Sequence, residues 1–294
     1  METIVTNRAA GLGVTWWSNA AQLVRNRYFW LVVPATVTLL LAFAWPVLGF
    51  LLKAFTDPFN GLHNFNEVFS NFIYGAVLWN TVVISFVTTF LSLLLGYPLA
   101  YTIAQASPRV RRLLIFAVLV PFWTSILVRT FAWMVLLQPS GLINDILIGL
   151  GLLLEPLDML FNRTGLLIGM VQIQLPLMVF PLYTVMSKID KQYVSAAANL
   201  GASPVTAFRR VYLPLSMPGV FTGSMLVFVT CLGYFITPAL LGGHRDVVVA
   251  QLIHEQVTEL GSWGIPAVLA IILLLSTLFI FGIVRLFQRR EKKL

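Results

Sequence analysis

Apolar residues in this chain come in long runs rather than in alternation. Six runs reach the ~20 residues that a helix needs to cross a bilayer: Phe29–Leu52, Trp79–Ala104, Leu113–Leu137, Gly165–Met186, Val220–Leu241 and Ile265–Phe287. Polar and charged residues collect in the gaps. This pattern predicts an all-α integral membrane protein with six transmembrane helices. The first run reads as a retained span. It is too long for a signal peptide, starts too far from Met1, and is followed by no small-residue cleavage site. Residues 1–28 carry Trp16, Trp17, Arg25, Arg27 and Tyr28 and read as a cytoplasmic or interfacial segment. Residues 29–287 form the transmembrane domain, and 288–294 a basic cytoplasmic tail.

One gap differs from the others. The stretch 189–219 reads IDKQYVSAAANLGASPVTAFRRVYLPLSMPG and carries its own start and stop signals. Asp190 suits the N-cap of a helix Lys191–Leu200, and Gly201 sits where that helix must end. Ser203-Pro204 then restarts a second helix, with serine as cap and proline at the first position. Pro214 and Pro218 are expected to close the unit. Two helices folded inside a loop are a surface for presentation to something else.

Composition agrees with a lipid environment. Hydrophobic residues make up 59% and charged residues 10%, against roughly 25% charged in soluble domains; the mean hydropathy is +0.88. The net charge of +8 does not mark a nucleic-acid binder, because the basic residues are spread over the gaps. Fifteen Lys and Arg fall on one side of the membrane: the N-terminal segment, the second connection, the long loop and the tail. Only Lys53, Arg163 and Arg245 fall on the other. Both termini and the long loop are therefore expected in the cytoplasm. The single cysteine, Cys231, lies in an apolar run and reads as a small buried side chain.

The spans are not inert. Pro34, Pro46, Pro98, Pro121, Pro176, Pro181 and Pro238 interrupt them, and in lipid each proline frees a carbonyl that a neighbour must satisfy. Gln172 and Gln174 flank Pro176; Thr230, Gly233, Tyr234 and Thr237 precede Pro238. Such side chains serve either interhelical hydrogen bonds or a translocation path, and Gln172, Gln174 and Tyr234 are the candidates for the path. Apart from Arg285 at the cytoplasmic end of the sixth run, Arg129 is the one ionised side chain inside a span. It lies about eight residues from the outer end of the third span, ~12 Å at the helical rise; an arginine at the bilayer centre costs ~2.5–3.5 kcal/mol even on a lenient scale, so it needs a role, either as a structural tether or in gating.

Catalytic chemistry is missing. The three histidines are scattered, His254-Glu255 lacks the second histidine of a zinc protease, and no G-x-x-x-x-G-K-[ST] phosphate loop surrounds any of the five lysines. The chain is not expected to be an enzyme, and no cofactor or metal is expected.

The segment Ser195-Ala196-Ala197-Ala198-Asn199-Leu200-Gly201, followed ten residues after the glycine by Val211-Tyr212-Leu213-Pro214, resembles the EAA loop of ABC importer permeases. Further stretches are similar to the spermidine/putrescine permease branch. They are Trp123-Thr124-Ser125, Leu127-Val128-Arg129, Ala132-Trp133, Gly141-Leu142-Ile143-Asn144, Pro214-Leu215-Ser216-Met217-Pro218-Gly219 and Pro238-Ala239-Leu240-Leu241-Gly242-Gly243. The resemblance spans roughly 29–287. It implies the fold of a type I importer permease in a bacterial inner membrane, with two permease subunits, an ABC ATPase dimer on the cytoplasmic side and a soluble substrate-binding protein outside. It also implies that Ser195, Ala196, Ala197, Gly201, Leu213 and Pro214 couple to the ATPase, and that the cargo is a polyamine such as putrescine or spermidine, or a related small solute. Two positions depart from the family. Ser195 stands where glutamate is usual, so coupling falls to shape and to Lys191, Arg209 and Arg210. No acid stands near Tyr234, whose ring face is left to meet a cation. The competing readings are an ion-driven secondary transporter acting alone and, behind it, a membrane-embedded enzyme. Such transporters commonly show internal repeats and intramembrane ionisable groups. No convincing repeat relates the two halves.

Overall fold

The computed structural model describes residues 29–291; the expected interfacial segment 1–28 and residues 292–294 lie outside them. Among the described residues there are helices and no strands. Six helical stretches among the described residues are long and apolar enough to cross a membrane. The described residues divide into two units, 29–53 and 54–291.

In the first unit, α1 (Phe29–Leu39) passes through a π-helical turn, Leu40–Ala44, into α2 (Trp45–Thr56), whose last three residues belong to the second unit. Pro34 lies inside α1. The Thr38 hydroxyl donates to the Pro34 carbonyl at 2.8 Å.

The second unit holds α3 (His63–Ser70), α4 (Phe72–Gln105), α5 (Pro108–Trp123), α6 (Ile126–Leu137), α7 (Leu142–Gly149) and α8 (Arg163–Met186). It continues with α9 (Lys191–Asn199), α10 (Pro204–Ala207), α11 (Leu213–Leu232), α12 (Ile236–Leu241), α13 (Val249–Thr258) and α14 (Gly264–Glu291). At 1.5 Å per residue α4 is about 51 Å long, well beyond the ~30 Å hydrocarbon core. Its ends therefore define a near end, where Gln105 meets α9, and a far end at Phe72.

Helices α4, α8 and α11 form the core and pack most extensively on one another. Ile84, Ile103, Met170, Met178, Leu182 and Val227 fill it. Close approach depends on small residues, as expected where lipid removes the hydrophobic drive for association. A Cβ on Gly223 would lie 3.1 Å from the Met178 carbonyl oxygen and 2.9 Å from its sulfur, so α11 crosses α8 with backbone nearly in contact.

Four sequence expectations need correction. The third span is not one helix: it breaks at Thr124–Ser125 into α5 and α6. Pro121 is the cause. It supplies no N–H to the preceding turn, and its own carbonyl accepts from the Thr124 backbone and hydroxyl at 3.2 and 2.7 Å, which closes α5. The fifth span likewise breaks, at Gly233–Phe235, between α11 and α12. The second span starts at Phe72, because the Asn71 side chain accepts from the Ile73 N–H at 3.0 Å and caps the helix. Pro214 and Pro218 do not close the long loop. A π-helical turn, Phe208–Tyr212, leads straight into α11, with Pro214 in its first turn and Pro218 inside it.

At the far end, loop 242–248 is stapled to α4 and α8. Arg163 Nε donates to the buried Asp246 carboxylate at 3.0 Å, and Arg163 also reaches the Asn80 side-chain oxygen. Asn80 in turn donates to the carbonyls of Arg245 and Val247 at 3.2 and 2.9 Å. At the near end, Arg111 donates to the carbonyls of Ala104 and Ala106 at 3.3 and 3.1 Å and so caps the last turn of α4.

Candidate functional site

The long loop folds as its residues dictate. The Asp190 carboxylate accepts from the Gln192 N–H at 2.9 Å and starts α9. Gly201 ends it at φ +85°. There its N–H donates to the Ala198 carbonyl at 2.9 Å, and the Ala202 N–H to the Ala197 carbonyl at 3.0 Å. This paired closure of a helix end needs a left-handed residue, and glycine takes that conformation without Cβ strain. Ser203 then caps α10 through the Thr206 N–H at 3.3 Å, with Pro204 in the first turn.

α9 shows two faces. Val194, with Ile189 before it and Phe208 after it, packs against the core. The outward face carries Ser195, Ala196, Ala198 and the exposed apolar side chains Tyr193 and Leu200. Leu200 is 89% exposed and Val205 on α10 is 73% exposed. Bulky apolar groups at the tip of a basic loop form a surface suited to a protein partner. Ala197 is half-buried beneath this face. The Ser195 hydroxyl donates to the Lys191 carbonyl of its own helix at 3.2 Å, so its proton is already used. Leu213 and Pro214 do not share this surface; they stand where the π-helical turn enters α11.

Sequence reasoning missed what anchors the loop. Tyr97 and Tyr101 on α4 meet Phe208 and Tyr212 of the π-helical turn. The ring centroids are 5.9 Å apart for Tyr101–Phe208, 5.0 Å for Tyr101–Tyr212 and 5.8 Å for the stacked Phe208–Tyr212 pair. The Tyr97 hydroxyl is 2.8 Å from Ser216 Oγ. Each pair of aromatics lies four residues apart, on one helical face, and that spacing was the available signal. A cavity of about 290 Å³ lies between α9 and the end of α4, lined among others by Tyr101, Gln105, Val194 and Phe208.

The polar span residues fall into two groups. Gln174 is buried and donates to Thr230 Oγ1 at 3.0 Å and to Cys231 Sγ at 3.2 Å, which joins α8 to α11. Gln172 accepts from Trp133 Nε1 at 3.3 Å and joins α8 to α6. Both serve interhelical hydrogen bonding. Arg129 and Tyr234 differ. α12 packs on α6, with the Thr130 and Thr237 hydroxyls 3.4 Å apart, so the breaks of the third and fifth spans come together. Arg129 lies in the first turn of α6 and Tyr234 in the fifth-span break, within electrostatic reach of each other. Arg129 Nε and Nη1 are buried and meet no acceptor among the described residues. The Tyr234 hydroxyl lies near Thr237 but is at hydrogen-bond geometry to no described residue. Thr124, Ser125 and Gly233 of the breaks are exposed on the surface of the chain.

Comparison with known proteins agrees with this geometry. Residues 94–293 match the family described as binding-protein-dependent transport system inner membrane component. The spermidine/putrescine transport system permease protein PotB of Haemophilus influenzae is 36% identical over 221 residues, 75% of this chain and 77% of that protein. PotB of Escherichia coli is 36% identical over 201 residues, 68% of this chain and 73% of its own length. Among solved structures, a bacterial alginate ABC transporter in complex with an alginate pentasaccharide-bound periplasmic protein has a chain that superposes with a TM-score of 0.74 at 20% identity. The match covers 95% of this chain and 98% of that one. A chain of the inward-facing MetNI methionine ABC transporter gives 0.55 at 16% identity over 73% and 94%. With its six membrane-length helices and its two-helix loop, this chain belongs to the family of inner membrane components of binding-protein-dependent transport systems.

Proposed function

We propose that the chain is a permease subunit of an ATP-driven ABC importer, with a polyamine such as putrescine or spermidine as cargo. The observation that carries this reading is the 36% identity to spermidine/putrescine permeases over three quarters of the chain, and the built loop α9–α10 supports it. ATP is hydrolysed by a partner. Two ATPase subunits dock on the cytoplasmic side, a second permease supplies the other half of the path, and a soluble binding protein delivers cargo from outside.

Coupling runs through α9. Ala196 and Ala198 keep its outer surface low enough for a close fit in a cleft, and Tyr193 and Leu200 supply apolar anchors. The aromatic cluster of Phe208, Tyr212, Tyr97 and Tyr101 ties the loop to α4. A rigid-body shift of α9 is therefore transmitted to the core rather than absorbed by a flexible loop. Ser195 contributes shape and no charge. Leu213 and Pro214 fix the base of the loop, and Gln172 and Gln174 hold the helices that border the path.

Purification of the tagged chain in mild detergent tests this assignment. An ATPase and a second permease should co-purify, and the co-encoded binding protein should be thermally stabilised by polyamines. Recovery of the chain alone, with transport retained, would reject it.

A further inference from the structure

We propose that the far end of α4 carries a binding site for an anionic phospholipid. The lipid phosphate sits on Arg245 and Arg163, and an acyl chain runs past Trp79 and Val83. The inference needs only the chain's place in a membrane and goes beyond the importer reading above.

The site is a groove of about 760 Å³ where the end of α3, the first turns of α4, the start of α8 and loop 242–248 meet. Phe72, Gly75, Trp79 and Val83 recur along one face of α4 at helical spacing and form its apolar wall. Small residues keep it open: no heavy atom lies within 4 Å of where a Cβ on Gly75 would stand, and Ala76 is exposed. Arg163 and Arg245 form the charged part. They are two of the three basic residues that the sequence places on this side, and the fold brings both to one groove.

Two helices fix the depth of the groove. α8 has 24 residues and is about 36 Å long, slightly more than the ~30 Å hydrocarbon core. Its first residue, Arg163, therefore stands at headgroup level. Arg163 reaches the Asn80 side chain, which brings Trp79 to the same level. Val83 is one turn deeper, about 6 Å. Trp79 is 71% and Phe72 86% exposed, and exposed aromatic side chains collect at membrane–water interfaces. The groove thus opens to headgroups above and to acyl chains below. A soluble partner reaches only its upper part.

Charge selects the lipid. Arg163 Nε donates to the Asp246 carboxylate at 3.0 Å, so that pair is neutral as a unit. Arg245 is exposed and leaves one net positive charge, and among the described residues no Asp or Glu lines the groove. One phosphodiester balances it. Guanidinium donors suit phosphate oxygens, and Arg163 keeps Nη1 to donate beside Arg245. A zwitterionic headgroup adds an ammonium for which the groove lining offers no carboxylate. Bound phosphate ties loop 242–248 to the bilayer, next to the contacts that tie it to α4 and α8.

The test uses the full-length chain, in the complex with which it purifies, and a photoactivatable phosphatidylglycerol. Labelling of the peptide 68–83 is read by mass spectrometry against lipid concentration. The wild type should be labelled there, and unlabelled phosphatidylglycerol should compete far better than phosphatidylcholine. Arg245→Gln should raise the half-maximal concentration about fivefold. Gly75→Leu, which fills the groove and leaves its charge alone, should also weaken labelling. Lys53→Gln, the third basic residue expected on that side, should leave it unchanged. Equal labelling of wild type and Arg245→Gln would overturn the proposal, and so would an equal loss in Lys53→Gln or equal competition by phosphatidylcholine. Competition by inorganic phosphate would mark a free-anion site instead, and absence of label at 68–83 in the wild-type complex would mark a face covered by another subunit; either result overturns it.

Discussion

Replacing Gly201 isolates the backbone geometry of the coupling helix from its surface chemistry. Gly201 holds φ +85° at the exit of α9, and no heavy atom lies within 4 Å of the position a Cβ would take. Space is therefore no obstacle, and the whole cost of Gly201→Ala is conformational. A non-glycine residue in the left-handed region costs about 1–2 kcal/mol. The alternative to bearing that cost is to undo the two closing hydrogen bonds, Gly201 N–H to Ala198 and Ala202 N–H to Ala197. Either way the docking-competent loop is disfavoured by roughly 5- to 30-fold, at tenfold per 1.4 kcal/mol. Asparagine tolerates the left-handed region far better than alanine, so Gly201→Asn should recover most of the loss. The assay is the affinity of the purified permease pair for its ATPase, read by titration in nanodiscs. The expected order is wild type, then Gly201→Asn, then Gly201→Ala. Equal affinity for all three would refute the reasoning, and so would Asn binding more weakly than Ala.

Three more perturbations address the same architecture. Asp190→Ala removes the cap on the Gln192 N–H and costs about 1 kcal/mol of α9 stability, which hydrogen exchange should read as about fivefold lower protection at the start of the helix. Phe208→Ala removes the ring that links Tyr97 and Tyr101 to the loop; it should lower substrate-stimulated ATP hydrolysis more than ATPase binding, and equal losses in both would argue against the aromatic cluster as the transmitting element. Arg163→Ala leaves the buried Asp246 carboxylate without its cation and should destabilise the protein by about 1–3 kcal/mol, seen as a lower midpoint of thermal unfolding, with cleavage by added protease appearing first in loop 242–248.

Local rules were legible where one residue decides the geometry. Asp190, Gly201 and the Ser203-Pro204 pair are start and stop signals, and each one acts in the structure as the sequence reading expects. Membrane spans were legible because composition alone sets them. The breaks at Thr124–Ser125 and Gly233–Phe235 were not. Apolar content measures affinity for lipid and carries no information on which carbonyl remains bonded, although Pro121 and Gly233 marked the neighbourhood. Gln172 and Gln174 left two roles open, and the hydrogen bonds they make to Trp133, Thr230 and Cys231 depend on helix positions that the sequence does not encode. The approach of Arg129 to Tyr234 depends on how α6 meets α12, a tertiary matter that no local spacing encodes.

The central claim is that transport through this chain is driven by ATP at a partner and admitted by a binding protein. The direct measurement is polyamine uptake into proteoliposomes containing the purified complex, with ATP and binding protein each added or withheld and ion gradients collapsed by ionophores. The account predicts uptake only when both are present, undiminished by the ionophores. Uptake without ATP that follows an imposed ion gradient would contradict it and identify a secondary transporter.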